Sequence, residues 1–134
     1  MHRTSVLLAD DNSAVLNHVA HMLENDFDVV AAVQDGPSAL RQCTSLKPQI
    51  VVLDISMGAS SGIDVARQLH DSGSAAKIIF LTVHEDPDFV NAALGAGASA
   101  YVVKSRLGSD LLLAIRAALA GKLFVSPTLL YETS

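Results

Sequence analysis

Three carboxylates stand where apolar runs end. Asp10-Asp11 follow Val6-Leu7-Leu8-Ala9, and Asp54 follows Ile50-Val51-Val52-Leu53. If both runs are buried parallel strands, the three acids meet at one edge of one sheet. Crowded negative charge calls for a hard cation, and an all-oxygen acidic cluster suits Mg²⁺. One carboxylate of such a cluster can act as a nucleophile toward phosphorus. Two more polar residues end apolar runs. Thr82 follows Ile78-Ile79-Phe80-Leu81, and Lys104 follows Tyr101-Val102-Val103. A set of this kind fits phosphoryl transfer. Asp54 attacks in line, Thr82 donates a hydrogen bond to the phosphoryl oxygens, and Lys104 supplies a fixed positive charge. Asp11 and Asp54 are expected to contact the ion directly, with Asp10 acting through water.

Each residue alone has a plainer reading. An Asp after a strand commonly caps the next helix, and Asp10-Asp11-Asn12-Ser13 is rich in cap formers, so at least one of them is expected to cap. A lone Thr or Lys at a strand end means less still. Convergence of all of them on one sheet edge is what favours chemistry.

The elements that must bring them there are legible as alternation. Short β-branched runs lie at Val6–Ala9, Val29–Val33, Ile50–Leu53, Ile78–Val83 and Tyr101–Val103. Most are continuous enough to be buried on both faces; the second opens on polar Asp28 and reads as an edge strand. Helix-period segments separate them. The first carries Val15, Val19, Met22 and Leu23, and the second Leu40 and Cys43 after Gly36-Pro37. The third carries Ile63, Ala66 and Leu69. The fourth starts at Asp86-Pro87, buries Phe89 or Val90 with Ala93 and Leu94, and ends at Gly95 or Gly97. The fifth starts near Ser109, carries Leu112, Ile115 and Leu119, and stops at Gly121. Five strand–helix units predict an α/β fold, a doubly wound five-stranded parallel sheet in the flavodoxin-like order 2-1-3-4-5. That order puts strands 1 and 3 side by side at the topological switch point, where ligands bind.

Bulk properties agree. A chain of 134 residues, half of them hydrophobic, can bury one real core. A formal net charge of −5 with scattered Lys and Arg argues against nucleic-acid binding by this domain itself. The single cysteine, Cys43, excludes an internal disulfide and reads as a small core residue. No apolar stretch approaches the ~20 residues that span a membrane, and the N-terminus is too short in apolar residues for a signal peptide. A cytoplasmic protein is expected.

These stretches resemble a known family. Val6-Leu7-Leu8-Ala9-Asp10-Asp11, Val51-Val52-Leu53-Asp54-Ile55-Ser56-Met57, Leu81-Thr82 and Gly97-Ala98-Ser99-Ala100-Tyr101-Val102-Val103-Lys104 are similar to the response-regulator receiver domain (CheY-like). Leu53-Asp54-Ile55-Ser56-Met57 and the close Ala120-Gly121-Lys122-Leu123-Phe124-Val125-Ser126-Pro127 most resemble its NarL/LuxR-type subfamily. The resemblance implies that Asp54 is the phosphoacceptor. It implies that Asp10, Asp11, Asp54 and the Ser56 backbone carbonyl hold Mg²⁺, that Thr82 and Tyr101 form the switch pair, and that Lys104 pairs with the phosphate. Ser56 and His84 take positions that line the phosphate's exposed side in receivers; His84 reads equally as a solvated loop residue. Two departures stand out. Gly58 replaces the usual Pro after Met57, and Val83 replaces the usual small residue after the switch threonine. Histidines 2, 18, 21 and 70 read as exposed.

The function so implied is a phosphorylation-activated switch of a two-component system. A sensor histidine kinase is the donor, and the output is transcriptional through a separate DNA-binding domain. It is not a turnover enzyme; it catalyses only its own phosphorylation and dephosphorylation. A haloacid-dehalogenase-type phosphohydrolase is the enzymatic alternative, but it needs an acid where Ser56 stands. An unphosphorylated receiver-like interaction module is the other, kept open by Gly58 and Val83. Residues 1–126 are expected to form the receiver domain, and 127–134 the start of a linker or tail. One helix stripe cannot bury all of Leu111, Leu112 and Leu113, so Leu111 or Leu113 is expected at the surface. A homodimer on phosphorylation, through the first and fifth helices, is expected from that; the tail after Gly121 is the other candidate cover.

Overall fold

Side chains along a strand alternate between faces, so apolar runs without polar interruptions build two cores at once. The computed structural model describes residues 3–57, 60–83, 91 and 95–126. Its strands are β1 (Ser5–Ala9), β2 (Asp28–Val33), β3 (Ile50–Asp54), β6 (Lys77–Thr82), β7 (Ala100–Val103) and β8 (Phe124–Val125), in one parallel sheet of order β2-β1-β3-β6-β7-β8. A separate antiparallel pair, β4 (Ser56–Met57) and β5 (Ser60–Ser61), follows β3. The helices are α1 (Ser13–Leu23), α2 (Gly36–Leu46), α3 (Gly62–Asp71) and α4 (Leu107–Leu119).

One face presents Leu7, Ala9, Val51, Leu53, Phe80 and Tyr101 to Ala39 and Cys43 of α2 and to Val65, Ala66 and Leu69 of α3. The other presents Val6, Leu8, Val52, Ile79, Leu81 and Val102 to Leu16, Val19 and Leu23 of α1 and to Leu111, Ala114 and Ile115 of α4. The predicted doubly wound order is therefore present. β2 is an edge, as its polar opening implied, and its residues are at best half-buried.

Three expectations need correction. The sheet has six strands, because Phe124-Val125 adds to β7 where the sequence read only the approach to a linker. The fifth predicted helix, α4, begins at Leu107 rather than near Ser109. Its buried stripe is Leu111, Ala114, Ile115 and Ala118; Leu112 is half-buried and Leu119 exposed. Of the three consecutive leucines, Leu111 is fully buried and Leu113 is 54% exposed. Cys43 is buried as read, and burial pushes its thiol up to about 11. His18, His21 and His70 are exposed. Gly58, His84, Pro127 and most of the predicted fourth helix, including Asp86-Pro87, Phe89, Val90, Ala93 and Leu94, lie outside the described residues.

Candidate functional site

Adjacent parallel strands deliver their last residues to a common edge. β1 and β3 pair with Ala9 opposite Leu53, so Asp10 and Asp54 emerge together at the carboxyl end. β2 lies outward on one side of β1 and β6 on the far side of β3, which makes this the switch point of the sheet. Lys104 continues β7 and reaches across the end of β6. Its Nζ lies 2.8 Å from Asp10 Oδ2 and 3.4 Å from Asp54 Oδ2.

The two carboxylates are held alike. Asp10 Oδ1 accepts the Asn12 N–H at 2.9 Å, and Asp54 Oδ1 accepts the Ser56 N–H at 3.1 Å. Each uses one oxygen to shape its own turn and turns the other, Oδ2, toward the ammonium. The expectation that one residue of Asp10-Asp11-Asn12-Ser13 caps the next helix holds, and the cap is Asn12 rather than either acid. Asn12 caps α1, its Oδ1 accepting from Ala14 N at 2.9 Å and Val15 N at 3.3 Å. Asp11 is left exposed at the rim, and Asp10, Asp11 and Asp54 can bring one oxygen each within 4.8 Å of one another.

Burial dominates the electrostatics. It pushes Asp54 up to about 6, the charge of Asp10 adds to the rise, and Lys104 and the Ser56 N–H draw it back. Burial also pulls Lys104 downward, but its hydrogen bond to Asp10 and the charges of Asp54 and Asp10 outweigh this and hold it above the usual lysine value. One cation thus faces two carboxylates. Asp10 Oδ2 and Asp54 Oδ2 are buried and have no hydrogen-bond partner besides this ammonium among the described residues. Two such oxygens, with exposed Asp11 beside them, fit a hard dication of the Mg²⁺ kind.

Of the other expected residues, Thr82 and Ser56 are at the same edge, and Tyr101 lies within β7. Thr82 ends β6 opposite Val103 and is buried. Tyr101, opposite Phe80, is fully buried on the sheet face that packs against α2 and α3. Ser56 opens β4 with its side chain exposed, and Val83 is 71% exposed just beyond Thr82. A cleft of about 720 Å³ lined by Lys47, Pro48, Ala76 and Lys77 lies at the opposite, amino edge of the strands and has none of these groups.

The sequence reading missed Gly62. This residue opens α3, and its N–H donates to the Ile55 carbonyl at 2.6 Å. A Cβ there would lie 2.2 Å from the Asp54 backbone oxygen. Only a residue without a side chain lets α3 start against the turn that carries Asp54. The available signal was a glycine at the start of the helix after Asp54, which by itself says nothing of close approach.

Comparison with known proteins gives one consistent picture. The family model for the response regulator receiver domain matches residues 6–116. The uncharacterized transcriptional regulatory protein YvfU of Bacillus subtilis (strain 168) is 33% identical over 129 residues, which are 95% of this chain and 64% of YvfU. The crystal structure of a LuxR-family two-component response regulator from Aurantimonas sp. SI85-9A1 superposes with a TM-score of 0.92 at 33% identity, covering 97% of this chain and 94% of that one. A structure of two RcsB dimers bound to two parallel DNAs aligns with a TM-score of 0.87 at 25% identity, over 96% of this chain and 66% of that chain. The chain spans less than two thirds of YvfU's length.

Proposed function

The chain belongs to the response regulator receiver domain family, and from that premise we propose that Asp54 accepts a phosphoryl group from a sensor histidine kinase. The observation that supports this best is the convergence of the buried Asp10 and Asp54 Oδ2 atoms on Lys104 at the switch point. In the transfer, an Asp54 carboxylate oxygen bonds to phosphorus as the phosphorus–nitrogen bond of the kinase phosphohistidine breaks. The imidazole leaves with the electron pair and takes a proton from solvent. Lys104 is already placed to pair with the added oxygens, and Thr82 ends the neighbouring strand within the same edge. Asp10, Asp11, Asp54 and the Ser56 carbonyl are the residues that would hold Mg²⁺, which when bound offsets phosphate charge. Later attack of water on the acyl phosphate returns the free carboxylate.

The added charge biases a two-state element, for which we take Thr82 and the buried Tyr101. YvfU is described as a transcriptional regulatory protein, and RcsB is seen as dimers on DNA. By likeness, this domain acts in the cytoplasm, dimerises when phosphorylated, and controls transcription through a separate DNA-binding domain. No helix among the described residues is long and apolar enough to cross a membrane.

Incubation with acetyl phosphate or phosphoramidate and Mg²⁺ should add one phosphoryl group by intact mass, and Asp54→Asn should abolish it. Undiminished labelling of the variant would overturn the assignment.

A further inference from the structure

The geometry points to Asp110 and Ser126 as positioning residues for Lys104, acting through the backbone on both sides of it. This deepens the proposed function and takes its meaning from the reading of Lys104 as the phosphate-pairing cation.

Asp110 is a carboxylate on the core side of α4, 2% exposed, where an apolar residue would serve the packing of the helix. Burying it has a desolvation cost that its partners must offset. Two of those partners, Arg106 and Ser126, tie it to the chain around the lysine. Arg106 Nε donates to Asp110 Oδ2 at 2.8 Å, and the Ser126 hydroxyl donates to the same oxygen at 2.8 Å. Ser109 Oγ donates to Oδ1 at 3.1 Å. The Ser126 oxygen in turn accepts the Val103 N–H at 3.1 Å. Val103 precedes Lys104, and Arg106 closes the 3₁₀ turn Lys104–Arg106 that Lys104 opens. One buried carboxylate therefore grips the chain before and after the lysine.

Ser126 is fully buried and adds a second tie, its N–H donating to the Tyr101 carbonyl at 2.9 Å. The segment leaving β8 is thus fastened to the strand that carries both Tyr101 and Lys104. A clasp that only anchored this segment would not need to reach the amide beside the lysine. This one fixes the direction in which a long, flexible side chain leaves β7, so that its ammonium meets Asp10 and Asp54.

The test needs no phosphodonor, so it stands or falls apart from the phosphoryl-transfer reading. In protein carrying ¹⁵N-lysine, the ion-paired Lys104 ammonium should give a slowly exchanging cross-peak distinct from exposed Lys47, Lys77 and Lys122. Ser126→Ala and Arg106→Ala should each shift it toward the exposed lysines and speed its proton exchange roughly 3- to 10-fold, the scale of one lost net hydrogen bond. Arg67→Ala, which removes an exposed pair with Asp64 elsewhere, should leave it unmoved. Arg106 is partly exposed, so that variant should keep the fold if Ser126→Ala does not. A cross-peak at its wild-type position and exchange rate in the folded variants would overturn the inference.

Discussion

Asp54 is held ionised only at a cost to the fold. Burial, with Asp10 beside it, lifts it from 3.8 to about 6 despite Lys104. Its folded value lies above its unfolded one, so its contribution to stability is fully present below about 3.8 and is lost as pH rises through about 6. In Mg²⁺-free buffer at pH near 8, Asp54→Asn should therefore be more stable than the wild type, by ~1–3 kcal/mol in urea unfolding. Near pH 4 the gain should vanish. Mg²⁺ should narrow the gap at pH 8 by stabilising the wild type alone, since an ion that binds only the folded state adds to its stability. Equal stability of the two proteins at pH 8 would show that the acidic cluster carries no such penalty. At this scale the sequence was informative for a physical reason. Asp10, Asp54, Thr82 and Lys104 each interrupt or end an apolar run, so their types stand out. Asp110 and Ser126 sit in ordinary helix and tail sequence. Nothing in their spacing announces that one carboxylate serves three donors.

Elements place the site through backbone contact as much as through side chains. Gly62 allows α3 to begin against the Asp54 carbonyl, and Gly62→Ala would force atoms apart that now leave no room. The expected loss is at least ~3 kcal/mol, at the severe end for a single substitution, together with loss of acetyl phosphate labelling at Asp54. Gly108 is the internal control. It lies in α4, and a methyl group added there would meet nothing within 4 Å, so Gly108→Ala should be neutral or stabilising by ~0.5 kcal/mol. Gly62→Ala with wild-type stability and labelling would mean that the turn after Asp54 adjusts freely. The main strands were legible because continuous Val, Ile and Leu runs have few other homes in a chain of this kind. β8 was not, since two half-buried residues after a helix-ending glycine carry no period. The stripe of α4 was read correctly at Ile115 and incorrectly at Leu112 and Leu119, because three consecutive leucines leave the phase of the helix open. Asp110 faces the core, and Leu111, not Leu112, packs beside it.

For the whole molecule, the exposed leucines of α4 and the turn after it raise the matter of what covers them. Leu113, Leu119 and Leu123 are 54%, 44% and 59% exposed, all on α4 or the turn that follows it. A second copy is the partner proposed above, and its apolar contact would cover these side chains. Two copies each carry a net charge of −5 and phosphorylation adds more negative charge, so apolar burial has to drive association against repulsion. Sedimentation of the 134-residue protein should register this balance. Beryllofluoride with Mg²⁺, which imitates the acyl phosphate, should shift the chain from monomer toward dimer. Raising salt from low ionic strength should strengthen that dimer by screening the like charges. Leu113→Glu should weaken it about tenfold or more, the effect of ~1.4 kcal/mol, while leaving Asp54 labelling and thermal stability near wild type, because Leu113 contributes little to the monomer's core. A monomer in both states at high protein concentration, or a Leu113→Glu protein that dimerises as well as the wild type, would remove α4 as the assembly surface.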